Sequence, residues 1–258
     1  MNHFTHGVVR ALAESFELPE PILEVGSFQV EGQEEVSNPR SLFPGREYLG
    51  IDVRPGPGVD LIANVEDLPF PAASVGTVLA LNTFEHVPHF WRGLDEIYRV
   101  LRPDGVLLVS VPFYFHIHAY PNDYWRFTPA ALDVVLDTYP TRLIGYHGPK
   151  RRPLGVWAVA FREEARPTAA AIQRYEQALK EHAREPLGWR NWLRYSLGRC
   201  LFGSRPFSPY LERDRWSLEV HHNKSASGGR KAEARDQKSE VSKENEPASD
   251  LRPLTSDF

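Results

Sequence analysis

Cysteine occurs once in this 258-residue chain, at Cys200, which excludes an internal disulfide framework and any metal site built on paired cysteines. Long apolar runs are missing too. None approaches the ~20 residues that span a bilayer. Neither sign of charge dominates: 30 Lys and Arg stand against 34 Asp and Glu, a formal net charge of −4. That balance gives no electrostatic case for binding nucleic acid. The opening "MNHFTHGVVRALAESF" lacks the basic-then-apolar order of a signal peptide. The expectation is a soluble cytoplasmic protein with no nucleic-acid partner.

What is present is an alternation of short apolar runs with helical patterns. "PILEVGS", "EYLGIDV", "VDLIANV", "TVLALN" and "GVLLVSVP" are rich in β-branched residues or leucine and bounded by Gly, Pro, Asp or Asn. Their nearly continuous apolarity suits strands buried on both faces, as in a parallel sheet. Between the last two, Trp91, Leu94, Ile97, Tyr98 and Leu101 recur at helical spacing, and Pro103-Asp104-Gly105 is expected to turn the chain. Two further strands, "RLIGYHG" and "GVWAVAF", follow a helix opening at Thr128-Pro129, and their short linker predicts an antiparallel pair. The expected fold is an open α/β sheet, mostly parallel with an antiparallel edge strand and with helices on both faces. Its ligand should sit outside the C-terminal ends of the strands.

After about residue 165 the pattern becomes helical, so residues 166–223 read as a C-terminal helical appendage to a domain spanning 1–165 that opens with its own helix. In residues 224–258 four of the chain's six lysines sit among mixed charges, and no aromatic precedes Phe258. Such a segment buries too little apolar surface to offset its ordering entropy and is expected to be disordered.

The loop after the first strand carries the chemistry. In "ILEVGSFQVEG" only Gly26 stands where a dinucleotide fingerprint uses three glycines to approach a pyrophosphate. Phe28 and Val30 occupy the loop instead, and Asn38-Pro39 interrupts any early helix. A ligand without phosphates needs only one close backbone approach, which Gly26 allows. Asp52, ending "GID", can accept from both hydroxyls of a ribose, or can simply open the turn "VRPGPG".

Taken together, "LEVGS", "GID", "ANVEDLPFPAASVGTV", "LNTFEHV" and "IYRVLRPDGVLLVSVP" resemble, in this order and spacing, the class I S-adenosylmethionine-dependent methyltransferases of the small-molecule, type 11-like branch, over about residues 20 to 165. The resemblance implies a Rossmann-like fold and S-adenosylmethionine as cofactor. It also implies roles. Glu24 would face the methionine amino end, with Gly26 and Ser27 forming the close turn beside it. Asp52 would hold the ribose with Val53 lying against the base. Asn64 would stand where an acid usually meets the adenine amino group, the Val65 backbone completing that edge. Asn82 would pass beneath the sulfonium. The two departures, the missing glycines and Asn64, leave open a non-catalytic cofactor-binding or interaction protein that keeps the fold.

Methyl transfer is an in-line displacement that depends on positioning, with a base added when the acceptor must lose a proton. "PFYFHIHAYPNDYWRFTP" follows the fifth strand and gathers the polar aromatic candidates. His116 and His118 are the candidate bases, since imidazole titrates near neutrality, or they serve as loop hydrogen-bonders. Asp123 and Arg126 either meet the acceptor or pair with each other. Tyr120, Tyr124 and Trp125 either stack on a sugar or aromatic acceptor or roof the cofactor. "PNDYWRFT" further resembles methyltransferases found alongside glycoconjugate synthesis, which implies a small-molecule or glycan-precursor acceptor methylated at oxygen or nitrogen. His-x-His beside an Asp raises a metal, but no third ligand has diagnostic spacing and none is expected. Residues 186–203 interleave Trp189, Trp192, Tyr195, Leu197 and Leu201 with Arg190, Arg194 and Arg199. They read as a lid packed on the sheet or, alternatively, as a membrane-surface helix.

Overall fold

The computed structural model describes residues 2–30, 32, 38–118, 122–184, 187–203, 206–213 and 215–223. Tyr120 and the segment 224–258, expected to be disordered, lie outside the described residues. Eight strands form one sheet: β1 (Ile22–Val25), β2 (Tyr48–Asp52), β3 (Leu61–Ile62), β4 (Val75–Leu81), β5 (Leu101–Pro112), β6 (Thr141–His147), β7 (Gly155–Phe161) and β8 (Trp216–His222). Their spatial order is β3-β2-β1-β4-β5-β7-β6-β8. β3 through β5 pair in parallel, β7 lies antiparallel between β5 and β6, and β8 pairs antiparallel to β6. The strand order reverses beside β1, and the carboxyl ends of β1 and β4 open there.

Each strand's alternation feeds two cores. Val78 and Ala80 of β4 join Leu23, Val25 and Leu107 on one face, while Leu79 and Leu81 join Ile22, Val106 and Leu108 on the other. All seven residues of β4 are buried, which is why its sequence shows no polar alternation. Helices α2 (Phe90–Val100) and α3 (Pro129–Val135) cover the first face. Ile97 and Val100 of α2 are fully buried, and Thr128 caps α3 by accepting from the Ala131 amide at 3.0 Å. Helices α1 (His3–Ser15) and α4 (Ala169–His182) cover the second face. Phe4, Val8 and Leu12 form the buried stripe of α1, and Asn2 caps it through the Thr5 amide at 2.9 Å. α1 and α4 meet closely at Gly7, where a β-carbon would lie 2.1 Å from the His182 carbonyl oxygen. α4 also sends Tyr175 beneath the sheet, where its hydroxyl receives the Trp157 indole N–H at 3.2 Å.

Two expectations are corrected. Pro103-Asp104-Gly105 does not lie in a turn outside the sheet. It forms an irregularity within β5, whose pairing with β4 shifts between Leu101 and Val106. The expected antiparallel edge is present: the antiparallel pairings are confined to one side of the sheet, and β8 is its edge strand. Residues 166–223 are not wholly helical. After α5 (Trp189–Phe202) and the short α6 (Ser208–Leu211), the last described element is strand β8. Its main-chain groups find partners on β6, while its side chains stay half-exposed, so its apolar signal is weak.

Candidate active site

A cavity of about 1160 Å³ opens at the carboxyl ends of the parallel strands. β1, β2 and β4 build one end, and the segment after β5 builds the other. Glu24, Gly26, Asp52, Val53, Asn64, Val65 and Asn82 line the first end, and His116 and His118 line the second. α1 contributes Phe4, Thr5 and Val8, while Tyr195 of α5 and Tyr210 of α6 complete the second end. The two tyrosine rings stack with centroids 4.7 Å apart.

Glu24 is buried, and its Oε2 accepts from the Tyr48 hydroxyl at 2.9 Å. Burial pushes its carboxyl up to about 7, against the Tyr48 hydrogen bond and the nearby Arg40 charge, which act in the opposite direction. Gly26 has φ of +78°, and a β-carbon there would come within 2.4 Å of Thr83 Oγ1. That hydroxyl in turn donates to the Val25 carbonyl at 2.8 Å. The turn is therefore closed from behind by Thr83 and leaves its front face bare. Among the described residues no α-helix follows β1 before β2; only a 3-10 turn at Pro39–Leu42 does.

Asp52, 8% exposed, accepts the Arg54 amide and Nε at 3.0 and 3.3 Å through Oδ1, and the Phe28 amide at 3.4 Å through Oδ2. It therefore does both things the sequence allows: it organises the turn after β2 and faces the cavity. Phe28, standing in place of a glycine, is held under the Arg54 guanidinium at 4.2 Å and against Gly56, so its bulk is absorbed by the neighbouring turn. Asn64 is exposed, and its Oδ1 accepts the Glu66 amide at 3.0 Å. Asn82 takes φ of +53° and is fixed twice to Ser110: its amide donates to the Ser110 carbonyl at 2.8 Å, and its Oδ1 accepts from Oγ at 3.0 Å.

Several expected residues do not reach the cavity wall. Ser27 is buried beneath the loop against Gly50. Asp123 and Arg126 pair with each other through both guanidinium nitrogens, one contact at 2.6 Å, and this holds the Asp123 carboxyl well below the usual range. Trp125 donates its indole N–H to the Val87 carbonyl at 2.9 Å and packs edge-on against Phe90. Tyr124 faces outward and accepts from Asn122 at 2.9 Å. These four residues lock the loop onto the 85–90 segment, which also receives the Tyr124 and Trp125 amides at the Glu85 carbonyl.

The residues passed over in the sequence are Glu85, His86 and His147. Glu85 is fully buried on the cavity wall, its carboxyl pushed up to about 8 by burial. His86 places Nδ1 2.6 Å from the Asn122 carbonyl, and its ring meets that of His118 edge-on at 4.8 Å. Burial lowers it below the ordinary imidazole value. His147, stacked on Phe4 at 4.0 Å, is pushed down to about 3 by burial and is neutral at any working pH. The "FEHV" motif was the only signal for the first pair; nothing local marked the third.

Residues 44–109 match the family described as a methyltransferase domain. A probable S-adenosylmethionine-dependent methyltransferase of Mycolicibacterium smegmatis is 40% identical over 65 residues, covering 25% of this chain and 23% of that protein. Phthiotriol/phenolphthiotriol dimycocerosates methyltransferase 1 of Mycobacterium ulcerans is 40% identical over 83 residues, covering 28% and 30%. The chain thus spans less than a third of the length of these curated relatives. Among solved structures, the 1,6-didemethyltoxoflavin-N1-methyltransferase of Burkholderia thailandensis, holding S-adenosylhomocysteine, aligns over 62% of this chain and 77% of its own at 16% identity and a TM-score of 0.47. This family match lies across the strands that carry Asp52, Asn64 and Asn82.

Proposed function

We propose that this chain transfers a methyl group from S-adenosylmethionine to an oxygen or nitrogen of a small-molecule or glycan-precursor acceptor. The observation that carries the reading is the single cavity joining Glu24, Gly26 and Asp52 at one end to His116 and His118 at the other. The residues present fit the cofactor. The bare front of the Gly26 turn admits close backbone approach, and the Glu24 carboxyl suits an ammonium. Asp52 Oδ2, whose contact with the Phe28 amide is long, suits a ribose hydroxyl. Val53 would lie along the base, and Asn64 and the Val65 backbone would meet its edge. When bound, the cofactor supplies an activated methyl on a sulfonium. The chain's own part is to orient that sulfur above Asn82, exclude water beneath Tyr195 and Tyr210, and receive the acceptor's proton on His116 or His118.

The Mycobacterium ulcerans relative carries a lipid in its name, which adds lipid-borne acceptors to those worth testing. No helix among the described residues is long and apolar enough to cross a membrane. α5, however, exposes Trp189, Trp192, Leu197 and Leu201 beside the cavity residue Tyr195, a surface suited to contact with lipid. The test is release of S-adenosylhomocysteine from S-adenosylmethionine across a panel of hydroxylated and aminated glycans, lipids and small aromatics. Tight cofactor binding with no turnover on any acceptor favours the second reading, a non-catalytic binding protein, which the uncharged Asn64 at the adenine position supports. Failure to bind either cofactor form overturns both.

A further inference from the structure

The least satisfied polar group on the cavity wall is Glu85. Its side chain is fully buried, and neither carboxylate oxygen has a hydrogen-bond donor among the described residues. Buried carboxylates are ordinarily paired or hydrogen-bonded, because leaving one bare costs several kcal/mol, roughly. His86 Nε2 lies 3.8 Å from Oε1, too far for a hydrogen bond. His86 cannot readily supply a proton there. Its Nδ1 lies 2.6 Å from the Asn122 carbonyl, so that nitrogen carries the hydrogen and Nε2 presents a lone pair. His118 lies beside it, with Nδ1 3.0 Å from Asp123 Oδ2 but without hydrogen-bond geometry to that or any other described group. Two imidazoles and a buried carboxyl group therefore converge, and one potential ligand atom from each of the three residues lies within 4.8 Å of the others. The backbone carbonyl behind the His86 imidazole is the kind of outer contact that orients a metal-binding histidine.

We propose that Glu85, His86 and His118 form a binding site for a divalent first-row transition ion at the acceptor end of the cavity. Two imidazoles and one carboxylate suit manganese, iron, cobalt or zinc and are a poor set for magnesium, which prefers oxygen alone. Tetrahedral ligands ~2.1 Å from one ion lie about 3.4 Å apart, so side-chain rotations that close the widest pair by somewhat more than an ångström complete it. Three protein ligands leave a coordination position toward the cavity. An acceptor oxygen bound there would ionise more readily, its proton passing to His116, which is then left as the base. That role rests on the methyl-transfer reading; the binding of the ion does not.

The test is titration of the chelator-treated full chain with Co²⁺, read by its visible absorption bands, and with Mn²⁺, read by electron paramagnetic resonance. One ion per chain is expected. Glu85→Gln and His118→Asn should each weaken binding at least tenfold. S-adenosylhomocysteine affinity, measured on the same samples, should stay within a few-fold of wild type. His118 is partly exposed, so His118→Asn decides the matter should Glu85→Gln fail to fold. Absence of stoichiometric binding by any of these ions, or variants that bind as the wild type does, would overturn the site. Ion binding without S-adenosylhomocysteine binding would keep the site and remove the cofactor reading.

Discussion

Cofactor affinity should rise with pH, and Glu24 sets the size of the effect. Its carboxyl titrates near 7 because it is buried, yet it must be ionised to receive the cofactor's ammonium. At pH 8 about nine-tenths of the ligand-free sites carry the carboxylate, and at pH 6 about one-tenth do. Dropping from pH 8 to 6 should therefore weaken S-adenosylhomocysteine binding about tenfold, or ~1.4 kcal/mol. Calorimetry in buffers of different ionisation heat should show close to one proton released per ligand bound at pH 6 and little at pH 8. Stability runs the other way. A folded-state pKa raised above its ordinary 4.5 contributes stability that is fully present below pH 4.5 and is lost as pH rises through about 7. The ligand-free protein should thus lose stability across the same range in which it gains affinity, and Glu24→Gln should flatten both trends. If Glu24→Gln keeps the tenfold slope, the titrating group is elsewhere and the ammonium assignment fails.

Asp52→Ala should weaken S-adenosylhomocysteine at least tenfold, since it deletes a charge-assisted acceptor, and it should also loosen the 52–58 turn. Unchanged affinity by calorimetry would remove the ribose assignment. Gly26→Ala should cost about 1–3 kcal/mol in denaturant unfolding, because its positive φ and the Thr83 hydroxyl leave no place for a methyl; a neutral result would mean the turn can rearrange. Ile97→Ala, which empties a fully buried site under the sheet, should cost about 2–5 kcal/mol without altering cofactor affinity per folded molecule. His116→Ala should lower turnover far more than cofactor affinity, and full activity in that variant would place the base elsewhere.

The sheet was legible because its strands are buried on both faces. A run such as "TVLALN" has few other uses, and Gly, Pro and Asp mark where each strand stops. That Glu24, Gly26 and Asp52 would meet at one end of a cavity was legible for the same reason: they sit at strand ends, where position along the chain fixes position in space. The acceptor end was not. In "HIHAYPNDYWRFTP" a tryptophan that binds a ligand and one that staples a loop have the same local sequence, and only the Val87 carbonyl distinguishes them. Glu85 was a lone acid after a strand; what sets it apart is that neither carboxyl oxygen has a hydrogen-bond partner among the described residues, which no stretch of sequence records. The N-terminal helix was expected, but its seat over the cavity depends on Gly7 meeting α4 more than 170 residues later.

β8 also bears on where the sheet is open. Without it, β6 would end the sheet with seven residues of unanswered amide and carbonyl groups. With it, the outer row of β8 takes that place, so the open border is carried outward from β6 and is not closed. Any strand that lengthens this sheet from that side would have to be laid against Trp216–His222, on the border opposite the one formed by β3.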